Sequence, residues 1–177
     1  MLDKLKQYET IGCCGIDCGL CPRFYTEGKS KCPGCFGMSF TEKHPPCSFA
    51  TCCVKKHELE VCGQCDEFPC KKYDNAKFEK DSFVSHKKMM YNLEFIRKNG
   101  VEKYIEEQNI RIKILEKILR NYNDGKSKSL FCLAVTLLDI SGLNESITKA
   151  EHKIKTKNIS ENDFKSKSRI LKDILAK

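Results

Sequence analysis

The chain has 177 residues, of which 40% are hydrophobic and 32% are charged, and its formal net charge is +8. This length suits one domain or two small ones. No window holds about 18 consecutive apolar residues, so we expect no transmembrane helix. Residues 1–6 lack the apolar core of a signal peptide, so we expect a cytoplasmic protein.

Cysteine and proline are concentrated in the N-terminal part of the chain. Twelve of the 13 cysteines and all five prolines lie within the first 70 residues, and the rest of the chain holds one cysteine, Cys132. Cysteines of a cytoplasmic protein stay reduced. The composition therefore disfavours a disulfide scaffold and favours metal binding, while Cys132 is expected to be a core thiol.

Residues 12–72 show little helical or strand periodicity. They contain seven glycines and five prolines, a composition that predicts loops and short turns. Few large aliphatic residues lie between Cys21 and Cys53, so this segment buries little apolar surface. A segment of this kind needs another source of stability, and a structural zinc supplies on the order of 10 kcal/mol.

Three C-x-x-C pairs carry the metal prediction: Cys18 with Cys21, Cys32 with Cys35, and Cys62 with Cys65. Two intervening residues allow a tight turn to point both sulfurs at one ion, and glycine in such a turn permits a positive φ. We expect this of Gly34 and Gly63. The ten predicted metal ligands are Cys14, Cys18, Cys21, Cys32, Cys35, Cys47, Cys52, Cys62, Cys65 and Cys70.

The spacing leaves the pairing and the metal open. Ten ligands make two four-cysteine sites with two sulfurs left over, and twelve cysteines make three sites. Zinc is the favoured metal, and an iron–sulfur cluster is the alternative. The spacing Cys14-x3-Cys18-x2-Cys21 is also that of radical S-adenosylmethionine enzymes, but the βα repeats of their barrel do not follow it.

Five further residues in this segment have weaker assignments. Cys13 and Cys53 each adjoin another cysteine, and adjacent side chains diverge, so both are interpreted as spare or packing thiols. His57 is expected at the surface and His44 in a loop. Asp17 is expected to orient its loop by accepting backbone N–H groups, and hydrogen bonding to a metal ligand is the alternative.

Three runs of the sequence resemble a known family: residues 14–22, residues 32–35 and the ending C-x-x-C-x-x-F-P-C of residues 62–70. This is a prokaryotic cysteine-rich family of unknown function that is taken to bind zinc. Cys13 departs from the pattern, where an aromatic residue is more usual, and Cys53 is additional. Residues 92–100 and 122–132 are also similar to longer members. The resemblance implies metal binding and supplies no reaction or substrate.

After Cys70 the apolar residues recur at helical spacing. Met89, Leu93 and Ile96 mark one face of a helix that ends near Gly100, and a longer stripe follows from Val101 to residue 122. Residues 130–140 are almost continuously apolar and predict a buried central helix. With two further helices towards the C-terminus, the region predicts about five helices in a small all-α unit.

Charge separates the same two regions. Residues 1–80 carry 12 Lys and Arg against 11 Asp and Glu, whereas residues 81–177 carry 20 against 13. A basic helical region can attract nucleic acid. Acidic residues are interleaved with the lysines, which favours an ordinary solvated surface.

The predicted architecture is a small irregular metal-stabilised cysteine-rich domain (residues 1–78) followed by an all-α helical domain (residues 79–177). The predicted function is a metal-binding protein, with zinc favoured, that acts as a structural-metal binding or adaptor module. The alternatives are an iron–sulfur redox or sensor protein and, less favoured, a nucleic-acid-binding protein. We identify no catalytic residue, so enzymatic activity stays open and is not favoured. A protein partner fits an adaptor role, and no membrane partner is predicted.

Overall fold

The structure is a computed structural model that describes residues 6–43, 46–74 and 88–176. The chain divides into two units, Met1–Gln108 and Asn109–Lys177. The described residues contain eight α-helices and no strand, so the predicted order of an irregular cysteine-rich region followed by helices is confirmed. The predicted domain boundary between residues 78 and 79 stays a prediction, because it concerns which part of the chain folds alone.

The cysteine-rich part of the first unit consists of turns and very short helices. Turns of 3-10 helix cover Cys18–Leu20, Gly28–Ser30 and Cys62–Gln64. The short helices are α1 (Phe40–Lys43), α2 (Ser48–Ala50), which continues into a π-helical turn over Thr51–Lys56, and α3 (Lys71–Asp74). The frequent glycine and proline residues explain why no longer element forms here.

Two longer helices follow, α4 (Met89–Asn99) and α5 (Val101–Tyr122). Gly100 separates them, and its φ of 90° is the left-handed conformation that glycine adopts at helix ends. The predicted helix end at Gly100 is therefore confirmed. Met89, Leu93 and Ile96 of α4 are buried with Ile11 and Val61, so the helix and the cysteine-rich loops share one core.

The second unit contains the end of α5 and three helices, α6 (Lys128–Leu137), α7 (Ile140–Thr156) and α8 (Phe164–Leu175). With α4, these make five helices in the described part of the chain after residue 79, which is the number expected. Cys132 is buried, at 1% exposure, as predicted for a core thiol. Asp139 and Asp163 cap α7 and α8, since each carboxylate accepts a backbone N–H of the first helical turn.

The prediction of a buried helix over residues 130–140 is wrong in two respects. The helix ends at Leu137, and Leu130 and Leu133 are exposed at 43% and 41%. A nearly continuous apolar run has no periodicity that distinguishes an outer face from an inner one, so the sequence did not show this. No helix in the described part of the chain has the length and apolar character required to span a membrane.

Candidate metal centre

Two of the three C-x-x-C pairs form the same local structure. In each pair the first cysteine begins a 3-10 turn. The N–H of Cys21 donates to the carbonyl of Cys18 at 3.0 Å, and the N–H of Cys65 donates to the carbonyl of Cys62 at 3.0 Å. The N–H of Phe24 then donates to the carbonyl of Cys21 at 2.9 Å, and the N–H of Phe68 donates to the carbonyl of Cys65 at 3.1 Å. We call these turns the first and second C-G-x-C loops.

This equivalence has a sequence signal that the pattern analysis missed. Residues 18–24 and 62–68 both follow C-G-x-C-x-x-F, so the two loops are short repeats of one motif. The third pair differs, because the N–H of Cys35 donates instead to the carbonyl of Glu9 at 2.9 Å. The three pairs are therefore two of one kind and one of another.

The glycines of these pairs serve different purposes. Gly34 has a φ of 81°, which confirms the positive φ expected there. Gly63 is not among the glycines with positive φ, so that expectation is wrong. A Cβ at Gly63 would lie 2.5 Å from the carbonyl oxygen of Leu93 in α4, so glycine is required here for close approach to the helix.

Six of the predicted ligands form a first cysteine group. Burial raises the pKa of Cys18 well above the ordinary thiol value, and the nearby sulfurs raise it further. Burial also raises the pKa of Cys14 to about 12. The neighbours of these two sulfurs define the group, which consists of Cys14, Cys18, Cys21, Cys32, Cys35 and Cys47.

Backbone N–H groups point at two sulfurs of this group. The N–H of Ile16 bonds to the sulfur of Cys14, and those of Arg23 and Phe24 bond to the sulfur of Cys21. Burial raises the pKa of Cys21, and these donors act in the opposite direction. N–H donors favour the thiolate, which is the form that binds a metal, but burial outweighs them at both sulfurs and their pKa stays raised.

The other four predicted ligands form a second cysteine group. Cys52, Cys62, Cys65 and Cys70 line a small cavity of about 30 Å³, which is room enough for a body the size of a water molecule. His57 also lines this cavity while remaining exposed, in agreement with its predicted surface position. His44 lies outside the described residues.

Cys13 and Cys53, interpreted as spare or packing thiols, are buried at 1% and 3% exposure. The thiol of Cys13 hydrogen-bonds to those of Cys35 and Cys53, and Cys53 hydrogen-bonds in turn to Cys62. These two thiols therefore connect the first cysteine group to the second.

The donor chemistry of the two groups fits a thiophilic metal such as zinc, because all ten side chains are thiols and two already accept N–H donors. Within residues 6–43, 46–74 and 88–176, no three Cys, His, Asp or Glu side chains are arranged around one point as ligands of one ion. The grouping of the sulfurs is thus a matter of neighbourhood, and their assignment as ligands stays a prediction.

A buried carboxylate anchors the first C-G-x-C loop. Asp17 is 4% exposed and accepts hydrogen bonds from Asn92 at 3.0 Å, from Gln108 at 3.1 Å and from the hydroxyl of Tyr104. Sequence reasoning expected a structural role for Asp17 but missed these donors. The sequence did contain one signal: Asn92 is a polar residue directly before Leu93 on the apolar face of α4, and a buried polar side chain requires a hydrogen-bond partner.

The second C-G-x-C loop is held by an arginine and by an ion pair. Arg97 of α4 donates to the carbonyl of Phe68 at 2.5 Å. Lys6, whose side chain is fully buried, bonds to Glu60 at 2.7 Å, and Glu60 also accepts the N–H of Tyr8. The sequence indicated none of these contacts, because Lys and Glu are ordinarily surface residues.

These features define a cysteine-rich segment with two similar loops held on one helix. Residues 10–75 match a protein-family model described as "Protein of unknown function (DUF3795)". The resemblance stated from the motifs is confirmed over this stretch, which includes all ten predicted ligands. Comparison with curated proteins and with solved structures gives no match.

Proposed function

We propose that residues 10–75 form a structural zinc module, in which the first and second cysteine groups each bind one zinc ion as thiolates. The duplicated C-G-x-C loop carries this proposal, because both copies present two cysteines from the same 3-10 turn. Zinc supplies a cross-link between loops whose own apolar contacts are few. On this basis the protein is a binding or adaptor module whose metal maintains the fold.

The geometry of α4 supports a structural role for the metal. Asn92 donates at 2.9 Å to the carbonyl of Gly15, just before the first loop, and Arg97 donates at 2.5 Å to the carbonyl of Phe68 in the second loop. Cys62 and Cys65 of the second loop pack against the core to which Leu93 of α4 belongs, so α4 supports the cysteines as well as the loop backbone. No catalytic residue is proposed.

Elemental analysis of untagged protein, produced without added metal, tests the proposal. We expect two zinc ions per chain, and one in each of the variants Cys18→Ser and Cys62→Ser. The matched control is Cys132→Ala, which removes a buried thiol outside both groups and should leave two ions bound. Protein that folds fully without metal, or an unchanged zinc content in both serine variants, would overturn the proposal.

An iron–sulfur protein is the alternative, favoured by the spacing Cys14-x3-Cys18-x2-Cys21 within the first group. The same sample separates the two, since anaerobically purified protein would then be coloured and contain iron and acid-labile sulfide. Nucleic-acid binding is less favoured. Part of the basic surface is already paired, as in Lys117 with Glu151 at 2.9 Å and Lys149 with Glu145 at 2.6 Å.

A further inference from the structure

The second unit carries an apolar groove that its own helices leave open. Leu130, Leu133 and Leu137 of α6 form one wall, and Leu175 at the end of α8 lies on the other. The groove encloses about 220 Å³. The charged residue lining it is Lys172, whose ammonium lies 3.8 Å from Asp124.

The exposure of these leucines follows a helical pattern. Leu130, Leu133 and Leu137 stand at positions i, i+3 and i+7, so they form one stripe along α6. Leu130 and Leu133 are 43% and 41% exposed, and the neighbouring Leu138 is 36% exposed. Scattered exposed leucines are ordinary, but a continuous stripe that borders a groove marks an interaction surface.

The charge of the surrounding unit selects the kind of partner. Residues 109–177 carry 15 Lys and Arg against 8 Asp and Glu, so this unit holds a net +7 of the chain's +8. A second copy of the chain would bring two strongly basic units together, which opposes self-association. An acidic partner is instead attracted.

We propose that this groove binds one amphipathic helix of a partner protein, with an apolar face that covers the leucine stripe and acidic residues along its edges. A groove lined by two helices accepts the side-chain ridge of a third helix, with anchors spaced as on α6 itself. Glutamate or aspartate on the edge of the bound helix would compete with Asp124 for the ammonium of Lys172. The site is independent of the cysteine-rich segment and of the metal proposal.

Binding of two synthetic helical peptides to the full-length protein tests this proposal. Both peptides carry leucines on one face, and the opposite face carries glutamates in one and lysines in the other. Fluorescence anisotropy should show that the glutamate peptide binds, and that the lysine peptide binds at least about tenfold more weakly. The variant Leu133→Asp should weaken binding of the glutamate peptide by at least about tenfold, because it places a charge in the apolar wall.

The matched control is Ile110→Asp, which changes another exposed apolar residue of the same unit, 47% exposed and outside the groove. It should leave binding unchanged, and circular dichroism should show both variants as helical as the parent protein. Equal binding of the two peptides, or equal loss in both variants, would overturn the proposal. Absence of peptide binding would also overturn it. In that case, loss of self-association in Leu133→Asp, measured by sedimentation, would identify a second copy of the chain as the occupant. Loss of binding to equimolar phosphatidylglycerol–phosphatidylcholine vesicles would identify a membrane surface, and no change in either would leave the groove without an occupant.

Discussion

At the scale of single residues, Asp17 shows how a polar group in a cysteine motif can serve packing. Its carboxylate is buried and receives donors from both α4 and α5, which satisfies the hydrogen-bonding demand that burial imposes. The residue lies one position before Cys18, so the donors that hold Asp17 also position the first C-G-x-C loop.

We predict that Asp17→Asn lowers the free energy of unfolding by about 2 kcal/mol, because it removes a charged acceptor and turns an NH2 group towards existing donors. Urea unfolding followed by circular dichroism measures this. The matched control is Asp66→Asn, the same change at an exposed position of the second loop, which should cost about 0.5 kcal/mol or less. Similar costs for the two variants would show that the buried network does not anchor the loop.

At the scale of elements, α4 is the support on which both loops are built. A Cβ at Gly15 would lie 2.6 Å from the carbonyl of Met89, and one at Gly63 would lie 2.5 Å from that of Leu93. Gly15, just before the first loop, and Gly63, in the second loop, therefore approach carbonyls of α4 that are one helical turn apart. Side chains of α4 then fix them, through Asn92 and Arg97.

The variant Gly63→Ala should destabilise the protein more than the same substitution at a glycine that has free space around its Cβ position. We expect a loss of about 3 kcal/mol, since the added methyl meets backbone that cannot rotate away. Gly28→Ala is the control, because nothing lies within 4 Å of its Cβ and its φ of 73° alone costs about 1 kcal/mol. Thermal unfolding compares the two, and a smaller effect at Gly63 would refute close approach as the reason for glycine.

At the scale of the whole chain, the two units differ in what stabilises them. The cysteine-rich loops share the core of α4, and the small core of their own consists mainly of cysteines together with Ala50 and Val54. Residues 109–177 form helices with ordinary apolar cores, including Leu143, Ile147 and Leu171. If the metal proposal holds, the loss of metal should affect the two units unequally.

Hydrogen exchange read by mass spectrometry tests this inequality in the intact chain. After treatment with a zinc chelator, peptides from residues 10–74 should lose protection, whereas peptides from α7 and α8 should keep most of theirs. Chelator added to protein from which zinc has already been removed provides the control. Uniform loss of protection across the chain would contradict the claim that the two units differ in what stabilises them. No loss of protection anywhere would contradict a structural role for the metal.

The sequence by itself determined the broad organisation of this protein. Cysteine spacing, glycine and proline content, and the periodicity after Met89 predicted an irregular segment followed by five helices, and Gly100 marked a helix end. These are local properties, because turn chemistry and helical periodicity act over a few residues. The core position of Cys132 followed for the same reason.

Only the tertiary structure decided which distant residues meet. The cysteines that lie near Cys18, those that line one small cavity, the donors of Asp17, the helix beneath Gly63 and the exposed face of α6 all depend on contacts between segments far apart in the chain. Spacing within a motif limits local geometry but contains no information on which loops pack together. An apolar run likewise indicates only that burial is favourable. The packing of the neighbouring helices decides which residues of the run are buried.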